Sequence, residues 1–74
     1  MSTSPTLALV RELAANGTAR RIRVAARLSI YDIARDLGVK AGTVSRWETG
    51  KRTPQGEAAL RWAQLLSEIV EAQS

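Results

Sequence analysis

Chemistry in this chain has to come from its cations. It contains no cysteine and no histidine, so thiolate nucleophiles, imidazole bases, disulfides and the usual zinc ligands are missing together. Serines and carboxylates remain, but no lysine stands beside a serine in an activating pattern; no catalysis, cofactor, metal or small-molecule substrate is expected. Charge placement is the informative feature. Nine of the eleven lysines and arginines (Arg20, Arg21, Arg23, Arg27, Arg35, Lys40, Arg46, Lys51 and Arg52) lie between positions 20 and 52, against Asp32, Asp36 and Glu48. From Thr53 onward the balance reverses, with Arg61 facing Glu57, Glu68 and Glu71. A positive field in mid-chain draws polyanions, with an affinity that falls steeply as salt rises.

Within that region, Lys40 to Thr49 reads as one short helix. At about 100° per residue, turning Val44, Trp47 and Glu48 toward a core leaves Gly42, Ser45, Arg46 and Thr49 on the other side, flanked by Ala41 and Thr43. A helix fits the ~12 Å major groove of duplex DNA, and an arginine can donate two hydrogen bonds to guanine O6 and N7. Arg46 is the best candidate base reader, with a phosphate contact or a solvated side chain as the competing roles. Lys40, Ala41, Gly42 and Ser45 complete the expected base-contacting set. Ala41 can touch a thymine methyl and Gly42 can admit close approach, but neither offers a side-chain hydrogen bond. Arg27, Thr43, Thr49, Lys51 and Arg52 lie at helix ends or in loops, where groups hold phosphates and fix register, an ordinary charged surface being the alternative. Trp47, Trp62 and Tyr31 can in principle stack on bases; packing in a core or an interface is the expected role.

The elements that must position these residues are all helical. With 74 residues, the chain has room for one domain, burying only ~60% of its unfolded surface. Ser4 and Pro5 predict an N-cap and first-turn proline for a helix carrying Leu7, Leu9, Val10 and Leu13, closed at Asn16-Gly17. Thr18 is expected to cap a second helix with apolar positions from Ile22 to Leu28. Ser29 with Asp32 three residues on predicts a capping box, followed by Ile30, Ile33, Ala34 and Leu37 at helical spacing and a terminating Gly38. Gly50 stands where a left-handed cap belongs after the Lys40 to Thr49 helix. Thr53-Pro54 predicts the cap and first turn of a last helix running to about Ala72, with a stripe of Trp62, Leu65, Leu66, Ile69 and Val70. Residues 1–4 are expected to be disordered and 5–74 to form a single domain.

Gly38-Val39-Lys40 is too short a connection for two helices to pack antiparallel, so the segment 30–49 is predicted to be two helices joined by a tight, steep turn. This region resembles the helix-turn-helix of the Cro/phage-repressor (XRE-like) family. The resemblance rests on the approach Arg20-x-Ile22-Arg23-x-x-Ala26-x-Leu28-Ser29, the turn Ile33-Ala34-x-x-Leu37-Gly38-Val39, and Thr43-Val44-Ser45-Arg46-Trp47-Glu48-Thr49-Gly50-Lys51-Arg52-x-Pro54. It implies a lambda-repressor-like, all-α bundle of about five short helices, here with an extra N-terminal helix. It also implies an internal ion pair between Arg23 and Glu48. Two departures stand out: the family places polar readers where Ala41 and Gly42 stand, and tends to carry a phosphate-anchoring glutamine where Ile30 stands.

The resemblance implies sequence-specific binding of double-stranded DNA by a phage-type or prokaryotic transcriptional regulator, a repressor, with the 40–49 helix in the major groove. A homodimer is expected, because such readers place two recognition helices about 34 Å apart. Trp62, Leu65, Leu66, Ile69 and Val70 offer a possible interface; the alternative is that the N-terminal helix covers them within one chain. The competing functional reading is an antitoxin-like or adaptor protein whose main partner is another protein. Met1 to Thr6 lacks the charge and apolar run of a signal peptide, so a cytoplasmic, nucleoid-associated location without membrane contact is expected.

Overall fold

Glycines and polar caps break the chain into helices where the apolar periodicity predicts them. The computed structural model describes residues 3–74, which form α1 (Ser4–Ala15), α2 (Thr18–Ala25), α3 (Ile30–Leu37), α4 (Ala41–Glu48) and α5 (Gly56–Gln73), with no strand among the described residues. The bundle is all-α, as expected, but several boundaries differ for identifiable reasons.

Thr3 takes the N-cap of α1 and Ser4 is already helical, which puts Pro5 one position deeper than expected. Proline is tolerated there because first-turn N–H groups have no intrahelical partner. Of the segment expected to be disordered, Ser4 opens α1 and Thr3 caps it, and positions 1 and 2 lie outside the described residues. Gly17, at a φ of 83°, caps α2 in place of Thr18. Thr18 instead donates its N–H to Asn16 Oδ1 at 2.9 Å.

α2 stops at Ala25 instead of continuing to Leu28, because Arg27 adopts a left-handed φ of 60°. The Leu28 N–H then reaches back to the Arg23 carbonyl at 3.1 Å, the wrap-around bond of a Schellman end. α3 ends with the same bond, from Val39 N–H to the Ala34 carbonyl at 3.0 Å, but there glycine, Gly38, holds the left-handed position at a φ of 70°.

α5 begins at Gly56, with Gln55 as N-cap, so Thr53-Pro54 is not its first turn. Pro54 is buried in the connecting segment, and its carbonyl accepts a hydrogen bond from Arg11 Nε of α1 at 2.9 Å. A proline with no N–H to satisfy can be buried at little cost in a loop whose carbonyl is paired.

All five helices feed one core: Val10 and Ala14 from α1, Ala19 from α2, Ile33, Ala34 and Leu37 from α3, Val44 and Trp47 from α4, and Ala59, Trp62, Leu66 and Ile69 from α5. α5 packs most extensively on α1. That packing corrects the expected dimer interface: Trp62, Leu66 and Ile69 lie inside the monomer, leaving Leu65 half-buried and Val70 47% exposed. α1 packs on α5 more than α2 or α3 does, and Trp47 of α4 covers Trp62.

Candidate nucleic-acid interface

The two helices of the 30–49 segment are each secured at the end that matters. Ser29 Oγ accepts from the Asp32 N–H at 3.0 Å while Asp32 Oδ2 accepts from the Ser29 N–H at 2.8 Å, a complete capping box that fixes the start of α3. The Ser29 N–H first, and then the Ser29 side chain, hold the Asp32 carboxyl below the ordinary aspartate range, with Arg35 adding to the shift. At the other end, Gly38 lets the chain leave α3 in the left-handed region and resume in extended conformation at Lys40, the N-cap of α4. Ala34 is buried, its small side chain suiting the α3–α4 contact.

α4 is bolted down by three side chains on one face. Val44 is fully buried, and the Trp47 ring stacks on Trp62 of α5 with centroids 5.0 Å apart at an interplanar angle of 29°. Stacked aromatic pairs add about 0.5–1.5 kcal/mol beyond the area they bury. Glu48 binds Arg23 of α2 through two parallel bonds, Nε to Oε2 at 2.8 Å and Nη2 to Oε1 at 3.0 Å. The third donor, Nη1, goes to the Leu28 carbonyl at 3.0 Å, so one guanidinium ties together α2, the loop after it and α4. The pair is nearly dry, with 11% and 3% of the two side chains exposed, and Glu48 raises the Arg23 pKa above its ordinary value. These contacts take both tryptophans out of reach of a nucleobase. Tyr31, expected to pack in a core or an interface, lies outside the core, 74% exposed on the first turn of α3.

The outer face of α4 carries Arg46 and Thr49 exposed, with Ala41, Gly42, Thr43 and Ser45 half-buried beside them. Arg46 leans toward the helix N-terminus, the direction helical side chains take, so that its guanidinium lies over Gly42. A Cβ at Gly42 would stand 3.2 Å from Nη1 and 3.4 Å from Nη2. Gly42 is thus the bed of the Arg46 head group, which brings a charged fork to the opening turn of α4.

The basic residues sort into two groups. Arg23 is buried in its pair; Arg21 donates to the Asn16 carbonyl and Thr18 Oγ1; Arg35 binds Asp32; Arg11 and Arg61 donate to the carbonyls of Pro54 and Leu37. Arg20, Arg27, Lys40, Arg46, Lys51 and Arg52 are exposed and have no side-chain partner among the described residues. Five of these six belong to the set expected to meet DNA; Arg20, on α2, is the exception.

Residues outside that expected set also border it. Thr53 and Gln55 line a polar cleft with Thr43, Arg46, Trp47 and Arg52; as residues of a connection read as a helix start, they carried no sequence signal. Ile30 and Tyr31 share a shallow depression with Ala41, Gly42 and Ser45, an adjacency between two helices that linear spacing does not reveal.

Two helices joined by a glycine turn, the second anchored by its inner face and cationic on its outer one, define a helix-turn-helix DNA-binding domain. The chain belongs to the Cro/phage-repressor (XRE-like) helix-turn-helix family, whose helix-turn-helix profile matches residues 20–68. The match spans α2 through most of α5 and leaves α1 outside it. No curated protein and no solved structure shows significant similarity to the chain. No helix among the described residues is long and apolar enough to cross a membrane.

Proposed function

We propose that this protein is a sequence-specific transcriptional regulator, a repressor, that lays α4 in the major groove of duplex DNA. The observation that carries the reading is the division of the cations: Arg11, Arg21, Arg23, Arg35 and Arg61 are spent on carbonyls, a hydroxyl and carboxylates, whereas Lys40, Arg46, Lys51 and Arg52, on α4 or just beyond its ends, stand free, as do Arg27 and Arg20. Arg46, bedded on Gly42, reads a guanine. Lys40, Ala41 and Ser45 border the neighbouring base edges. Thr43 and Arg52, with Thr53 and Gln55, seat a phosphate in the polar cleft beside α4, and Arg27, Thr49 and Lys51 supply further backbone contacts.

A homodimer on a two-fold site completes the reading, since one short helix contacts few bases. The part of the expected interface still open is Val70, which shares a shallow apolar depression with Ile22 and Ala25. Sedimentation of the wild type against Val70→Asp tests this; a protein that stays monomeric on and off DNA overturns it.

The function is tested by titrating the chain against the duplex upstream of its own gene and against random duplexes over a salt series. Log affinity should fall with log salt by ~0.9 for each phosphate neutralised, and Lys51→Ala should reduce the slope by about 1. Equally weak binding to both duplexes with no salt slope would falsify the proposal. Arg46→Ala should cost about 1–3 kcal/mol and relax preference at one base pair; an equal loss on every sequence would make Arg46 a phosphate contact.

A further inference from the structure

Three features meet at Gly42. The Arg46 guanidinium lies over it, the depression shared with Ile30, Tyr31, Ala41 and Ser45 borders it, and it sits in the first turn of α4. Tyr31 forms the outer wall of that depression and is 74% exposed. An aromatic left so exposed gains nothing from the core, and burying it against a partner would recover contact area. Ile30, Ala41 and the Tyr31 ring supply its apolar surface, the Ser45 and Tyr31 hydroxyls its polar part, and it is open to solvent. In the major groove the one apolar protrusion a duplex presents is the C5-methyl of thymine.

We infer that the notch formed by Ile30, Tyr31 and Ala41 is a receptor for a pyrimidine C5-methyl group, and that the methylated base lies next to the guanine read by Arg46. Adjacency follows from Gly42, which lines the notch while the Arg46 guanidinium stands 3.2 Å from where its Cβ would be, and base pairs stack about 3.4 Å apart. Ile30 and Tyr31 become specificity-determining residues on α3. They discriminate by van der Waals contact where Ala41 and Gly42 have no hydrogen bond to give. This inference rests on α4 lying in the major groove.

The test begins with selection of preferred duplexes from a random pool by the full chain. In the selected site each thymine is then replaced in turn by deoxyuridine, which removes only the methyl. At the position beside the Arg46-dependent guanine, affinity should fall about fourfold, the effect expected of one lost methyl contact. A 5-methylcytosine placed there should bind better than cytosine. Tyr31→Ala and Ile30→Ala should each shrink the thymine–deoxyuridine difference toward none, with the salt slope unchanged; because Tyr31 is exposed, its variant should melt like the wild type. Deoxyuridine accepted as well as thymine at every position, or discrimination that survives both substitutions, overturns the inference while DNA reading stands. Failure to bind any duplex overturns the functional proposal, and this inference with it.

Discussion

The ends of α2 and α3 are built alike and filled differently. Both close with a wrap-around bond behind a left-handed residue, but α3 uses Gly38 and α2 uses Arg27. A side chain in that conformation costs about 1–2 kcal/mol that glycine avoids. The contrast extends to the two halves of the molecule. Around α1 and α5, arginines are turned onto carbonyls, Arg11 on Pro54 and Arg61 on Leu37, and apolar residues close the core. Around α4, cations stand free, and its first turn carries Gly42 where alanine would favour the helix more. One half is arranged for stability; the other gives some up to present charge, as sites that bind commonly do.

The ion pair is the joint between the halves, and breaking it should have the largest effect. Glu48→Ala leaves the Arg23 charge in a nearly dry site and should cost about 3–5 kcal/mol in urea unfolding, much of the 5–15 kcal/mol typical of a domain. Replacing Arg23 and Glu48 together by methionine should be far milder than the single change; equal losses would show that packing, rather than the stranded charge, carries the cost.

Next comes the α5 stripe. Leu66→Ala should cost about 2–5 kcal/mol as a core cavity, whereas Val70→Ala, on the open rim, should stay within about 0.5–1 kcal/mol. Similar values for both would return the stripe to an interface outside the monomer.

Two substitutions should move stability and binding in opposite directions. Arg27→Gly should stabilise by about 1 kcal/mol and weaken DNA binding at every sequence. Gly42→Ala should stabilise by about 0.5–1 kcal/mol and, by lifting the Arg46 guanidinium, erode the preference for one base pair. A loss of stability in either variant would remove the argument that the α4 half forgoes it for binding.

The smallest effect is that of acid on the α3 capping box. Asp32 is held below its ordinary range, so its contribution is present above the unfolded aspartate pKa of about 3.9 and lost as pH falls through the lowered folded value. Asp32→Asn should remove this pH dependence, and an unchanged acid limb in that variant would place the titration elsewhere; Ser29→Ala should cost about 1 kcal/mol of stability but keep most of the acid limb, because the backbone N–H at position 29 still donates to Asp32.

Local patterns were legible from residue order alone. The capping box at Ser29 and Asp32, the left-handed Gly38, the inward Val44 and Trp47 and the outward Arg46 all follow from interactions within a few residues, which spacing encodes. The family motif added the meeting of Arg23 with Glu48, which neither residue's neighbours imply. What spacing misjudged depended on distant contacts. Thr53-Pro54 has the composition of a helix start, yet Arg11 holds the Pro54 carbonyl and α5 waits until Gly56. Trp62, Leu66 and Ile69 make the same stripe whether a second chain or this one covers it, and only packing decides that the monomer's own helices do. Tyr31, outside the spacing of Ile30, Ile33, Ala34 and Leu37, stays 74% exposed beside Ala41 and Ser45 of the next helix, a placement set by how α3 and α4 meet.

For α4, the sequence by itself determined that a cationic face would exist and which residues it would carry, because a 3.6-residue period leaves no other outward side once Val44 and Trp47 turn in. Only the tertiary structure decided what that face can touch. The bed of Arg46 on Gly42, the notch beside Tyr31 and the cleft beside Arg52 depend on where side chains from separate segments come to rest, and that position is a property of the packed chain.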